Sequence, residues 1–437
     1  MKKTVYAILL PLILLTQNSY AENDSQIEQE LAAWDEDESS EASPWNWGGF
    51  AELDGGRFIH KNTPNPHLAS LSEARFELWA NRYLGEHFFS FKGDLVGDAI
   101  GERKLKGDLV EMFADLKLSE NMNLRLGKQV LTWGTGDYIF INDLFSKNWK
   151  AMFSGRDDGY LKKSDYAAKL SVFTDYVNMD LAFIPIFKGD TSIDGEYFSY
   201  FNPLVKGGSV THQRLSIEDP ANTLKNSALA LRLSKNYRGV EYALYGYHGL
   251  YSQPAGFNPE KMKNIYPKMN ATGASVRNQL LGGIANVEVA YWHFLDNDYG
   301  RNAFMPADQF KLLVGYDHEL IPNLTASTQL LLERTLHYQT VKKAKVNYGL
   351  KMRDKWHKTL TLRLTYLALQ QKLTLSVFNF YSPDSKDFYV RPKVSYRYND
   401  NMFYEIGANI FGGKHQYTQW GQFKDSSNIY MRFKYNF

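Results

Sequence analysis

The chain ends on Asn428-Ile429-Tyr430-Met431-Arg432-Phe433-Lys434-Tyr435-Asn436-Phe437, a run that alternates strictly and closes on an aromatic. Successive strand side chains point to opposite faces. Ile429, Met431, Phe433, Tyr435 and Phe437 therefore share one face, and Tyr430, Arg432, Lys434 and Asn436 share the other. One such strand is ordinary in a soluble sheet. Repeated behind an export signal, the pattern describes a transmembrane β-barrel with an apolar outside and a wet inside.

The amino terminus carries that signal. Lys2 and Lys3 precede an apolar run from Val5 to Leu15, followed by Thr16-Gln17-Asn18 and Ser19-Tyr20-Ala21. Small residues at 19 and 21 fit cleavage after Ala21, so residues 1–21 read as a signal peptide. A membrane-anchoring helix needs roughly 20 apolar residues, about twice this core. The sequence has no cysteine, which removes a lipid anchor and a disulfide framework. Stability must then come from closing the strand ladder and facing lipid. Nothing after Leu15 approaches a spanning helix, and the 29 tyrosines suit interfacial girdles.

Residues 22–44 form an acidic segment. Nine acidic residues fall between Glu22 and Ser43 with no Lys or Arg, which fits a disordered tail. Ile27, Leu31 and Trp34 at helical spacing allow a short amphipathic helix instead. Setting aside these nine and the two signal lysines leaves 48 basic against 39 acidic residues.

From residue 45 to residue 437 the sequence reads as repeated hairpins. Strand candidates alternate with connections that are short, then long. The short set is 84–87, 119–122, 175–178, 235–239, 280–286, 320–323, 370–371 and 398–401. The long set is 59–71, 97–107, 132–165, 188–225, 252–268, 296–308, 337–357, 382–387 and 413–427. Eight short and nine long connections give an all-β, antiparallel, up-and-down barrel of eighteen strands, with sixteen as the lower bound. An even count puts both termini at the short-turn, periplasmic end.

Six segments fix the faces most cleanly. Phe76, Leu78 and Ala80 alternate with Arg75, Glu77 and Asn81; Val110, Met112, Ala114 and Leu116 with Glu111, Asp115 and Lys117. Leu229, Leu231 and Leu233 alternate with Ala228, Ala230 and Arg232; Leu360, Leu362 and Leu364 with Thr361, Arg363 and Thr365. Leu373, Leu375 and Val377 alternate with Lys372, Thr374 and Ser376; Val390, Val394 and Tyr396 with Arg391, Lys393, Ser395 and Arg397. A charge facing lipid near the midplane costs roughly 2–4 kcal/mol, so the polar sets must face a lumen. A soluble β-sandwich would show turns of similar length at both ends. Barrels of this size enclose an aqueous channel unless loops fill it.

The expected lumen set is Arg75, Lys92, Lys117, Arg125, Arg232, Arg363, Lys372, Arg391, Lys393, Arg397, Arg432 and Lys434, against Glu52, Asp54, Glu77, Asp94, Glu111, Asp115, Glu288 and Glu405. Basic residues dominate the last five strands, and rings of Arg and Lys favour anions in pores. Paired lumen charges would instead give a weakly selective wall. The connection 132–165 stands apart, with Trp133, Tyr138, Ile139, Phe140, Ile141, Leu144, Phe145, Trp149, Met152 and Phe153. A solvated loop would leave so many apolar groups unburied. Either it folds inward as a constriction or it forms a rim lid. Gly134, Gly136 and Asp137 supply the bend for inward folding.

Leu124-Arg125-Leu126-Gly127-Lys128-Gln129-Val130-Leu131-Thr132-Trp133-Gly134 resembles the G-[K/R]-Q…W-G signature of alginate-export-like porins and related Gram-negative outer-membrane families. The resemblance implies a passive pore, with Arg125, Lys128 and Gln129 at the motif's polar positions. Lys128 shares parity with Leu124 and Leu126, which places it at the rim or bent inward. Exporters of alginate have strongly basic pores, whereas this lumen is mixed.

Enzyme chemistry finds little purchase. Ten histidines are scattered without ligand spacing, and no G-x-S-x-G occurs. Asp157-Asp158 and Asp296-Asn297-Asp298 are the only candidate cation loops, and acidic turns are ordinary solvated features. No cofactor and no nucleic acid is expected. The leading expectation is an outer-membrane channel passing small anionic or amphipathic solutes. The alternatives are a receptor barrel for a siderophore-like ligand or partner, sealed by loops 132–165 and 188–225, and a barrel hydrolase whose groups come from separate strands.

Overall fold

The computed structural model describes residues 44–60, 64–204 and 208–437. The signal peptide and most of the acidic segment lie outside the described residues. Eighteen antiparallel strands make one sheet. They are β1 (Asn46–Phe58), β2 (Ala69–Leu84), β3 (His87–Asp98), β4 (Leu105–Ser119), β5 (Met122–Val130), β6 (Ser164–Val172), β7 (Asn178–Ile184), β8 (Ala228–Tyr237) and β9 (Val240–Leu250). The second half is β10 (Lys268–Leu280), β11 (Gly283–Phe294), β12 (Gln309–Ile321), β13 (Leu324–Thr335), β14 (Trp356–Ala368), β15 (Leu373–Ser382), β16 (Asp387–Arg397), β17 (Met402–Gly413) and β18 (Asn428–Asn436).

Each strand pairs with its sequence neighbours, and β1 pairs with β18 to close the ring. Phe437 and Gly49 exchange backbone hydrogen bonds of 3.1 and 3.0 Å across that seam. Closure leaves no unpaired edge, the condition a sheet must meet in lipid. The widest difference from the expected connections is at 280–286, where the turn is only Leu281-Gly282 because β11 already begins at Gly283. Every expected connection is present with its ends within a few residues. Two short turns show why: Arg238-Gly239 and Leu281-Gly282 both have positive φ at both central residues, the backbone that matches hairpin twist.

The outward face is apolar along the wall. Leu78, Met112, Leu244, Val314, Leu362, Val394 and Ile406 are all exposed on it, and Met431 is 61% exposed. Its neighbour Arg432 is 3% exposed and faces in. The six segments thus keep the faces read from their alternation. Inside the long connections lie two short hairpins, Tyr200–Asn202 with Ser209–Thr211 and Gly256–Asn258 with Lys263–Ile265. Two helices also occur there, α1 (Trp149–Ser154) and α2 (Tyr338–Asn347).

Candidate functional site

The connection between β5 and β6 enters the barrel and is fastened to the wall on the far side. Its first anchor is Glu288 on β11, which accepts hydrogen bonds from the Thr135 backbone N–H, from Thr135 Oγ1 at 2.7 Å and from Asn142 Nδ2 at 2.8 Å. Gly134 makes the bend with φ +86°. Gln329 on β13 then grips the Asp137 backbone in both directions, each bond 2.9 Å long. Arg363 on β14 donates to Asp137 Oδ1 at 2.8 Å. The Tyr138 ring sits 5.0 Å from both the Arg363 and Arg391 guanidinium carbons.

Helix α1 follows, capped by the Asn148 side chain accepting from the Ala151 N–H at 3.2 Å. A helix leaves its last carbonyls without partners, and here wall side chains supply them. Tyr389 Oη donates to the Met152 carbonyl at 3.1 Å, and Asn409 and Asn428 donate to the Phe153 carbonyl at 3.0 and 3.1 Å. The Phe153 ring packs among Tyr389, Phe411, Trp420 and Phe423 at 5.0–5.9 Å between centroids. Gly155, with φ +88°, lies so close to the Tyr430 ring that any Cβ would collide with it.

The descending limb is ionic. Arg432 on β18 donates to the Gly155 carbonyl at 2.8 Å and meets Asp157 at 3.2 Å, Asp54 and Glu405 at 3.0 Å, and Glu52 at 3.5 Å. Asp158 pairs with Arg391 and with Lys393, the latter at 3.0 Å. Arg156 pairs with Glu73 on β2, through Nε at 2.7 Å, and Arg75 covers the Tyr160 ring at 4.1 Å. Burial alone would raise the Asp158 carboxyl, but Arg391 and Lys393 outweigh it and hold it well below the ordinary carboxylate range. Asp157 is lowered likewise, with Arg432 as the offsetting charge. Asp137 goes the other way: burial raises it to about 6, and Arg363 offsets only part of that.

The basic residues singled out in the sequence therefore fall into three groups. Arg363, Arg391, Lys393 and Arg432 hold the inserted loop. Arg75, Lys92, Arg125 and Arg232 face inward on β2–β8, each beside a wall carboxylate. Arg75 meets Asp94, Lys92 meets Glu111 at 3.8 Å, Arg125 meets Asp115 at 2.9 Å, and Arg232 meets Glu241 at 3.1 Å. Lys117, Lys372, Lys434 and Arg397 belong to neither group: Lys117 pairs with Glu86, Lys372 is exposed, and Lys434 lies over the Phe50 ring at 3.8 Å. Arg397 is the fourth. It is exposed at the short-turn end of β16, and its side chain has no partner among the described residues.

On the loop, Trp133 packs edge-on against Phe145 at 5.0 Å, and Phe140 lies 6.1 Å from Trp149. Asp157 and Asp158, weighed above as cation ligands, face guanidinium and ammonium groups instead. No group of three or more metal-ligating side chains occurs among the described residues. Lys128 lies on the outward parity near the long-loop end of β5, reaching the Leu109 carbonyl and Asp108. Gly127 before it has φ +132°, and a Cβ there would strike the Met112 carbonyl oxygen, so backbone geometry explains this glycine of the motif.

Sequence reasoning missed Gln329, Asn409, Asn428 and Arg156, which do much of the fastening. Gln329, Asn409 and Asn428 are neutral amides at inward strand positions, a pattern shared with any wetted wall. Lys169, inward on β6 opposite Arg125 in the ladder, was also missed.

No known protein-family pattern and no curated relative matches this sequence. Solved structures share the fold. Pseudomonas aeruginosa OccD3 (OpdP) aligns over 91% of this chain and 93% of its own, with a TM-score of 0.54 at 9% identity. Acinetobacter baumannii OccAB1 aligns over 92% of this chain and 99% of its own, with 0.54 at 10% identity. OccAB4 from the same organism aligns over 91% and 99%, with 0.55 at 8% identity. At such identities the likeness is one of architecture.

Proposed function

We propose that this protein is a passive channel in the Gram-negative outer membrane, admitting small anionic or amphipathic solutes past an inserted constriction loop. The observation that carries this reading is the loop 132–165 crossing a closed eighteen-stranded barrel and fastened to seven wall strands by the contacts above. An insertion so firmly held narrows a water-filled barrel at a fixed height rather than opening and closing with each solute. The solved structures of this fold are outer-membrane porins, which supports the same reading. The short-turn end, with both barrel termini, is then periplasmic and the long loops are external.

Charge pairing tempers the anion preference. Of the twelve basic lumen residues named above, nine stand beside a carboxylate, so the field in the passage is mostly that of alternating charges rather than a basic ring. Weak anion selectivity fits this arrangement better than a polyuronate path, which would need a run of unpaired cations. Swelling of proteoliposomes in isotonic solutes tests the proposal. Rapid swelling in small organic acids and sugars, falling steeply with solute size, is expected. Liposomes carrying folded protein that never swell would favour a barrel sealed by its loops.

A further inference from the structure

A cavity of about 400 Å³ lies on the long-loop side of α1, between the inserted loop and the ends of β11–β15. That volume lies within the range of small-molecule sites. We propose that it is a binding site for a neutral, hydroxyl-rich ring, in chemical terms a sugar unit, on the approach to the constriction. The site rests on the channel reading only in that the solute enters from the long-loop mouth.

Two features of the lining point to that chemistry. The first is aromatic: Tyr138, Phe140, Trp149 and Tyr251 line the cavity with half-buried rings. Flat apolar faces of this kind suit the C–H faces of a sugar ring. The second is that the lining's charges are already matched. Lys147 meets Asp143 at 2.8 Å, Lys311 meets Glu333 at 2.7 Å, and the exposed Arg353 lies 4.0 Å from Glu333 while donating to Gln419 Oε1 at 3.1 Å. Asp190 accepts from Trp149 Nε1 at 2.7 Å. An ionic ligand would have to break one of these pairs and leave a charge stranded, which is costly in a partly buried site. Hydroxyl groups need break nothing, because paired carboxylates keep spare lone pairs.

Free hydrogen-bonding groups complete the match. The Tyr251 hydroxyl and the Gln253 side-chain amide line the same cavity, and neither has a hydrogen-bond partner among the described residues. Together they offer a hydroxyl, an amide donor pair and an amide acceptor beside the aromatic faces. Nothing in the lining offers an unpaired ammonium to a carboxylate ligand except by opening the pairs above.

The test uses full-length protein folded in detergent, with maltose as the neutral probe and benzoate as a ring-bearing anion. Trp149, Trp292 and Trp420 line the cavity, so tryptophan fluorescence reads occupancy without requiring conduction. A saturable maltose response is expected, weakened about tenfold in the Tyr251→Phe/Gln253→Ala double variant as two neutral hydrogen bonds are lost. Tyr251→Phe keeps the ring in place, Gln253→Ala trims one half-buried side chain, and an unchanged circular dichroism spectrum confirms folding. A missing maltose response, a response equal in the double variant, or tighter saturable binding of benzoate would each overturn the site. Conductance of the same protein separates the two readings. Maltose binding in a barrel that never conducts keeps the site and removes the channel, and conduction without maltose binding does the reverse.

Discussion

Arg432 stands among Glu52, Asp54, Asp157 and Glu405 and also holds the Gly155 carbonyl. One guanidinium thus serves four carboxylates from β1, β17 and the inserted loop. Removing one partner of a buried charge cluster costs roughly 3–5 kcal/mol, because the remaining charges stay desolvated. Arg432→Met should lower unfolding stability by about that amount in urea titrations of vesicle-embedded protein; a loss below about 1 kcal/mol would mean that solvent already screens these carboxylates. Asp137 supplies a pH signature. Its carboxyl is raised to about 6 in the fold, so protonation there neutralises the partner of Arg363. A raised carboxyl pKa makes the folded state relatively more favourable below the unfolded value near 4, and that advantage is lost as pH rises through about 6. In transport terms the passage gains positive charge below pH 6. Chloride preference in reversal potentials should therefore rise between pH 7 and pH 5, and Asp137→Asn should hold the high preference throughout; a preference flat with pH in the parent protein would count against Arg363 lining the path.

At the scale of elements, the wall and the inserted loop obey different rules. Leu362 sits at the middle of β14, facing out beside the inward Arg363. Leu362→Arg should cost roughly 2–4 kcal/mol in vesicle refolding, the depth-dependent cost of a cation in lipid, whereas Thr365→Arg, half-buried on the lumen side, should cost far less. Equal losses would mean that β14 does not cross at this register. Strand faces were legible because alternation is local: two neighbours suffice to assign Leu362 out and Arg363 in. The hairpin rhythm was legible because long and short connections differ so much in length and composition. Inward folding of the loop at 132–165 was one of two readings open in the sequence: Phe140, Phe145, Phe153 and Trp149 needed burial, in the barrel or under a rim lid, and the bend at Gly134, Gly136 and Asp137 favoured the barrel. The loop's fastening was not legible. Glu73 with Arg156 and Asn409 with Phe153 join residues 83 and 256 positions apart, and nothing local marks one asparagine on a wet wall as a helix cap. The sequence count of lumen cations likewise gave no hint that Asp137, Asp157 and Asp158 of the loop would return to neutralise them. Asn409→Leu with Asn428→Leu strands the Phe153 carbonyl, and a protease should then cut within 149–160 in the variant but not in the parent.

For the whole molecule, closure and insertion act together. The sheet buries its backbone polar groups by joining β1 to β18, and the loop fills part of the space that closure creates. Most of the barrel's apolar side chains face out, so the interior is held by aromatic packing around Phe153 at one level and by charge pairs below it. Along β2–β8 the inward wall carries paired charges instead, with Lys92, Arg125 and Arg232 beside Glu111, Asp115 and Glu241. The most direct measurement is single-channel current through the purified barrel in a planar bilayer under a KCl gradient, with folding checked by heat-modifiable migration. Steady conductance is expected, with a modest chloride preference at pH 7 and a larger current when Asn409→Leu/Asn428→Leu loosens α1 against the wall. Silence from folded protein, or unaltered current from the variant once protease cutting shows its loop loosened, would contradict a channel narrowed by this loop.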